Sequence, residues 1–319
     1  MREHFKKFSR RYVQLISAVL YNCNVKGFVS GKIWKGNSKG MCAPGLNCYS
    51  CPGAVISCPL GSLQSALVSS KYKFPYYILG TLLLMGLFLG RFICGFLCPF
   101  GLIQELLHKI PTPKLEKSKF TRGLTLIKYV LLVIFAVMIP VFIGAPGFCK
   151  YICPAGTLEA GIPLTIMQEK LRPLIGALFS WKVAMLIVTV SICVFAYRGF
   201  CRFLCPLGAI YSFFQPVSFF GVQVDETKCI HCDACIRNCK MDVKKVCDRE
   251  CIQCGECIQH CPVDAINIGV RKTDKKKKLI WSVVLMAALI LIVVGIKNKG
   301  FHDVMSKAIR LCYECMGIG

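Results

Sequence analysis

The sequence predicts an α-helical polytopic membrane protein of about five transmembrane helices, with a small α+β module inserted before the last of them. Three observations predict it. Hydrophobic residues fill 55% of the 319 positions and the mean hydropathy is positive, which excludes a disordered chain and fits a soluble domain poorly. The apolar residues gather into separate runs of about the length that crosses a hydrocarbon core of roughly 30 Å. Between the fourth and fifth runs apolar density falls and cysteines crowd into a short polar stretch.

Taken in order, residues 1–11 are basic, and residues 12–34 form a first apolar run weakened by Lys26 and Lys32. They are expected to span; the competing reading is a short interfacial helix. Residues 40–63 are a loop with Cys42, Cys48, Cys51 and Cys58 among Pro44, Pro52 and Pro59, where proline and glycine block a regular helix. Residues 74–97 are a strong span, 99–123 turn amphipathic and then basic, and 124–144 are the next strong span. Residues 156–178 mix apolar positions with Glu159, Glu169, Lys170 and Arg172 and are expected as an amphipathic surface helix. Spans at 181–197 and 279–296 complete the count. The expected domains are 1–224 in the membrane, 225–268 as the cysteine module, and 269–319 as basic linker, last span and a tail ending in Cys312 and Cys315.

The net charge of +24 would ordinarily suggest nucleic acid. Here the cations flank apolar runs: Lys6, Lys7, Arg10 and Arg11 before the first, Lys275 to Lys278 before the last. That placement predicts membrane lipid as the partner and no nucleic acid. No cleavable leader is expected, because the first purely apolar run is short and lacks a small-residue cleavage pattern.

The chain carries 23 cysteines. They bunch instead of spreading as a disulfide framework does, which favours metal–sulfur ligation in reducing surroundings; a stapled external loop at Cys42–Cys58 is the minority reading. One pattern occurs three times, as Cys94-Gly95-Phe96-Leu97-Cys98-Pro99, Cys149-Lys150-Tyr151-Ile152-Cys153-Pro154 and Cys201-Arg202-Phe203-Leu204-Cys205-Pro206, each with a glycine two residues beyond the proline. Cys58-Pro59-Leu60-Gly61 repeats its second half. Cysteines at i and i+4 share a helix face, and the proline ends or redirects the helix. Each copy therefore offers a pair of thiols and needs a second pair to close a site.

Cys229, Cys232, Cys235 and Cys239 follow CxxCxxCxxxC, and Cys251, Cys254, Cys257 and Cys261 repeat it, with Pro262 behind. This stretch resembles the bacterial two-cluster ferredoxins. The resemblance implies a two-[4Fe–4S] ferredoxin-like fold in which three cysteines of one run and the last of the other share a cluster. Carried over, one cluster takes Cys229, Cys232, Cys235 and Cys261, the other Cys251, Cys254, Cys257 and Cys239. Lys240 follows Cys239 where that family often has proline, and Cys247 is a bystander. Zinc is disfavoured by the spacing, and haem c because no CxxC is followed by histidine; His231 and His260 are read as packing or hydrogen-bonding residues.

Five spans with the basic flanks inside place Cys94, Cys98, Cys201 and Cys205 together at the cytoplasmic face, beside the module. Cys42, Cys48, Cys51, Cys58, Cys149, Cys153, Cys312 and Cys315 fall at the opposite face, with their pairing open. One to three [4Fe–4S] clusters are thus expected at the membrane faces, and Arg91, Lys150 and Arg202 are candidates to offset cluster charge. Cys193 is read as core filler.

Helix-end CxxxCP pairs followed by such a module resemble the NapH/NosR-type membrane ferredoxins over roughly residues 74–268. The resemblance implies electron transfer at the cytoplasmic membrane, with a cytoplasmic donor or acceptor and a redox partner on the other face. The leading expectation is a transmembrane iron–sulfur electron conduit, not a stand-alone enzyme. A subunit of a quinol- or flavin-linked oxidoreductase comes second and a redox or assembly factor third; no quinone, flavin or nucleotide motif is present.

Overall fold

The structure is a computed structural model and describes residues 2–69, 74–271, 275–309 and 316–317. Among the described residues three helices are long and apolar enough to cross a membrane: Lys119–Phe142, Ala177–Phe195 and Lys277–Lys297. A fourth apolar helix, Tyr76–Leu89, is shorter. It runs antiparallel to the last span. Phe88 meets the Trp281 ring at a centroid distance of 5.6 Å; at the other end Gly295 lies against the Tyr77 backbone and Gly80 against Ile292, leaving no room for a side chain. Small residues at these points let the two backbones close up without a hydrophobic driving force.

The expectation that residues 12–34 form one span is corrected. A helix runs from Arg2 to Tyr21, the chain breaks, and a short helix follows at Val25–Ser30, ended by left-handed Gly31. The break is held by side chains: Asn22 Nδ2 donates to Asn47 Oδ1 at 2.9 Å and Asn24 Nδ2 to the Pro52 carbonyl at 2.8 Å. The Arg2–Tyr21 helix is inverted in polarity. Arg10, Gln14 and Ser17 face the protein, while Leu15, Ile16, Val19 and Leu20 are exposed. Residues 156–178 are corrected likewise: a π-helical turn at Gly156–Gly161, a short helix at Ile162–Met167 and a 3₁₀ stretch at Glu169–Leu174 replace the single surface helix. Pro163 and Pro173 each remove a backbone donor that a continuous helix would use.

The bundle has two distinct ends. Lys119–Phe142 starts from a capping box in which Ser118 and Thr121 exchange hydrogen bonds, and its first turns touch the cysteine module through Thr121 Oγ1 on Asp242 at 3.2 Å and Lys128 on Glu250. Its far end leads to Gly147–Tyr151, which carries Cys149. Ala177–Phe195 runs the other way. Lys182 Nζ donates to the Cys149 carbonyl at 2.9 Å near its start, and Cys193 lies by Gln104 near its end. Cys94, Cys98, Cys201 and Cys205 thus sit nearest the module, and Cys149 and Cys153 lie farther along the same buried core.

The module is framed by two antiparallel strands, β1 (Phe220–Val224) and β2 (Ile266–Val270), with Val222 opposite Ile268. Buried ion pairs fix it to the bundle. Arg202 Nε donates to Asp242 Oδ2 at 2.6 Å with both side chains 1% exposed, and Arg91 Nη1 lies 3.1 Å from Glu250 Oε2. Arg91 and Arg202 therefore have carboxylate partners, which gives them a docking role beyond the cluster-charge role expected of them. Gly95 has no space for a Cβ, which would overlap the Ile252 carbonyl oxygen. Overpacking such a contact costs about 1–3 kcal/mol. Gly95→Val is expected to lower thermal stability by that order, read as a drop in the thermal unfolding temperature of the detergent-solubilised protein.

Candidate iron–sulfur sites

Two of the three CxxxCP copies are built by local geometry that helix spacing alone did not anticipate. After Tyr76–Leu89 the chain turns at Gly90, whose positive φ of 51° glycine adopts without strain. It then makes a π-helical turn at Ile93–Leu97 before Pro99 opens the next helix. Phe200–Leu204 is also a π-helical turn, and Pro206 again opens a helix. Short π segments of this kind recur at functional sites. Here they turn the Cys94 and Cys201 thiols out of the regular helical ladder.

The two copies meet. Cys94, Cys98, Cys201 and Cys205 line one cavity with about 270 Å³ of space not filled by atoms, walled by Ile93, Phe100 and Tyr211 among others. The four cysteines are 7%, 5%, 3% and 5% exposed. Their surroundings suit thiolates: Gln104 Nε2 donates to Cys201 Sγ at 3.0 Å and the Gly208 N–H to Cys205 Sγ at 3.4 Å. Gln104 Oε1 accepts from the Cys201 N–H at 3.1 Å, so one side chain fixes both ends of that residue. An all-thiol, buried set with N–H donors aimed at sulfur fits a four-iron cube. Among the described residues no three His, Cys, Asp or Glu side chains converge as a single-ion site would need.

In the module the two cysteine runs share a backbone. His231 and Asp233 have φ of 52° and 55°, and Gln253 and Gly255, at the same steps of the second run, have 57° and 76°. Burial first, and then the neighbouring Cys251, Cys254, Cys239 and Cys247, push the Cys257 thiol up. Cys229 and Cys232 act in the same sense on Cys235, and the Ala265 N–H reaches Cys261 Sγ at 3.2 Å. Cys232 is exposed, whereas Cys239, Cys251 and Cys254 pack against the bundle core that contains Cys94, Cys98 and Cys205. Cys247 Sγ donates to the Val222 carbonyl at 2.6 Å. His231 Nδ1 is 4.0 Å from Cys229 Sγ, and His260 is exposed.

Of the remaining expected residues, Cys48, Cys58, Cys149 and Cys153 line a second cavity of about 290 Å³ by the same measure. Cys42 is not among its lining residues; burial pushes its thiol up to about 11 against hydrogen bonds with Thr81 and Ser62. Cys51 packs in a separate small cluster with Ala160, Leu164 and Met316, which Cys48 also touches. Cys312 and Cys315 lie outside the described residues. Cys193 is buried, with its sulfur 3.7 Å from Gln104 Oε1. The residue that sequence reasoning missed is Gln104. Its signal was available, because Gln64 stands at the same distance beyond Cys58 as Gln104 does beyond Cys98.

Helices of membrane-crossing length, paired helix-end thiols and a ferredoxin-like module together define a membrane-associated iron–sulfur protein. A 4Fe-4S binding domain family matches residues 73–118, 127–162 and 177–220, one segment for each CxxxCP copy, and a second 4Fe-4S binding domain family matches residues 248–267. The chain is 30% identical over 171 residues to an uncharacterised protein of Methanocaldococcus jannaschii, covering 51% of this chain and 64% of that one. It is 26% identical to the methylamine utilization ferredoxin-type protein MauN of Paracoccus denitrificans, covering 58% and 61%. It is 27% identical to the regulatory protein NosR of Pseudomonas aeruginosa, covering 52% and 22%. The chain thus spans less than two thirds of each of these relatives. No solved structure matches. The chain is thus similar to membrane-associated polyferredoxin-type proteins, which bears out the NosR-type resemblance.

Proposed function

We propose that this protein carries electrons between its ferredoxin module and the far end of its helix bundle, with Cys94, Cys98, Cys201 and Cys205 as ligands of a [4Fe–4S] cluster between them. Four-iron clusters supply one-electron oxidation and reduction when bound. What carries the reading is one observation: Cys239, Cys251 and Cys254 of the module pack against the buried core that contains Cys94, Cys98 and Cys205. Relatives named as ferredoxin-type and electron transport proteins support it.

Each part of the chain has a task in this scheme. The exposed Cys232 side of the module meets a soluble redox partner; the Cys239/Cys251/Cys254/Cys257 set faces inward. Arg202–Asp242 and Arg91–Glu250 hold the two halves at one fixed distance, and Phe100, Ile93 and Tyr211 keep water from the buried thiols. The module and the basic Lys275–Lys278 run lie on the cytoplasmic side by the positive-inside tendency, so the far end faces the opposite compartment and its own redox partner.

Vesicles test this. Cluster-loaded protein is reconstituted with an impermeant redox dye trapped inside and a reductant added outside. The dye is expected to be reduced, and iron-depleted protein is expected to leave it oxidised. Absence of transfer in a loaded, correctly inserted sample overturns the proposal.

A further inference from the structure

The geometry points to a second cluster site at the far end, formed by Cys48, Cys58, Cys149 and Cys153 and built as an internal copy of the first. The inference rests on the reading above that paired helix-end thiols hold iron–sulfur cubes. Neither iron–sulfur domain match reaches Cys48 or Cys58.

The argument is the repetition of a complete local device. At the module end, Cys98 is followed six residues later by Gln104, whose Nε2 donates to Cys201 Sγ and to the Phe100 carbonyl at 3.2 Å while Oε1 accepts from the Cys201 N–H. At the far end, Cys58 is followed six residues later by Gln64. Its Nε2 donates to Cys149 Sγ at 3.3 Å and to the Leu60 carbonyl at 3.4 Å, and its Oε1 accepts from the Phe148 N–H at 2.9 Å and the Cys149 N–H at 3.4 Å. Both glutamines are 0% exposed. So Cys58 stands to Cys149 and Cys153 as Cys98 stands to Cys201 and Cys205. A buried amide that spends its N–H on sulfur and its oxygen on that cysteine's own N–H orients a thiol as a ligand; ordinary core packing does not require it.

The copy departs from its original at one ligand, and the structure supplies the replacement. The position four before Cys58 is Ala54, where the other copies have cysteine. Cys48, from the preceding loop, lines the cavity instead. It is held by the opposite half: Glu159, six residues beyond Cys153, accepts from the Cys48 N–H at 2.7 Å. Tyr211, six beyond Cys205, makes the corresponding reach to the same loop, donating to the Pro44 carbonyl at 2.8 Å. The sixth residue after the cysteine of each Cys-Pro corner therefore braces the facing half-site in three cases, and in the fourth it reaches the loop that carries Cys48. Leu46 lines both cavities, so the two sites are neighbours.

The test counts and characterises clusters. With two clusters in the module, one at each bundle site, the anaerobically purified protein is expected to hold about sixteen irons per chain. Cys58→Ser and Cys149→Ser are each expected to remove the same Mössbauer and electron paramagnetic resonance signal, and Cys48→Ser to remove or alter that signal too. Cys42→Ser and Cys51→Ser are expected to retain it. Gln64→Leu keeps all four thiols; it is expected to lower the midpoint potential of that one signal, because an N–H donor to sulfur favours the more negative, reduced form. Gln104→Leu is expected to do the same to a different signal. About twelve irons with the module and Cys94-type signals intact overturns the second site while leaving the proposed function standing, as does loss of the signal in Cys42→Ser or Cys51→Ser but not in Cys48→Ser. An unchanged potential in a fully loaded Gln64→Leu sample counts against the copied device itself.

Discussion

Cys201→Ser is expected to lower iron by about four atoms per chain and to reduce dye reduction in loaded vesicles to that of protein-free vesicles, with the two module signals unchanged. The expectation follows from where the residue sits. Cys201 is buried at 3% exposure, takes the Gln104 N–H at 3.0 Å, and lines the cavity between Cys98 and Cys205. Among the described residues no other cysteine lines that cavity beyond the named four, so a three-thiol remainder has no substitute from its described wall. Cys193 is the nearest candidate to stand in, but its sulfur is engaged with Gln104 Oε1 at 3.7 Å. The module does not share the loss, because its own two cysteine runs supply its ligands. Iron analysis, electron paramagnetic resonance and the vesicle assay on one preparation separate the outcomes. Transfer persisting without that cluster's signal refutes the path through this site.

How much of this was legible in the sequence depends on which physical rule governed each part. The meeting of Cys94 and Cys98 with Cys201 and Cys205 was readable because span parity alone puts both helix ends at one end of the bundle. The π-helical turns were not, since i, i+4 spacing fits an ordinary helix equally well. The Cys149 and Cys153 partners were left open because one of the facing thiols, Cys48, comes from a loop whose spacing repeats nothing, with Ala54 where the pattern called for cysteine. Gln64 and Gln104 were visible as letters, but their importance lies in bonds to residues 85 and 97 positions away. Residues 12–34 misled because a polar stripe inside a lipid-facing segment reads as weak hydrophobicity. Here that stripe is the side that bonds the protein: Gln14 Nε2 donates to the Gly95 carbonyl at 2.9 Å and Arg10 pairs with Glu105.

Glu105 is where the largest loss of stability is expected. Its Oε1 takes Arg198 Nη2 at 2.6 Å and the Tyr197 hydroxyl at 3.1 Å, and its Oε2 takes Arg10 Nη2 at 2.9 Å. Arg198 is 0% exposed and Arg10 5%. Glu105→Ala therefore leaves the buried Arg198 without a carboxylate and Arg10 with only the longer Glu256 contact. Removing one partner of a buried pair costs about 3–5 kcal/mol, because the remaining charge keeps its desolvation penalty. The loss also loosens the module end, since Arg198 binds the Cys94 and Gly95 carbonyls and Arg10 also reaches Glu256 at 3.5 Å. The same carboxylate sets a pH dependence. Burial alone would raise it, but Arg198 and Arg10 outweigh burial and hold it below the usual carboxylate range. Its stabilising contribution is thus full above the unfolded glutamate value of about 4.3 and is lost as pH falls through the lower folded value. Thermal unfolding of detergent-solubilised protein from pH 7 downward is expected to show wild type losing stability in that acid window, and Glu105→Gln starting lower and losing less. Parallel wild-type and Glu105→Gln curves would assign the acid loss to other carboxylates, Glu250 first among them, since Arg91 and Lys128 hold it low in the same way.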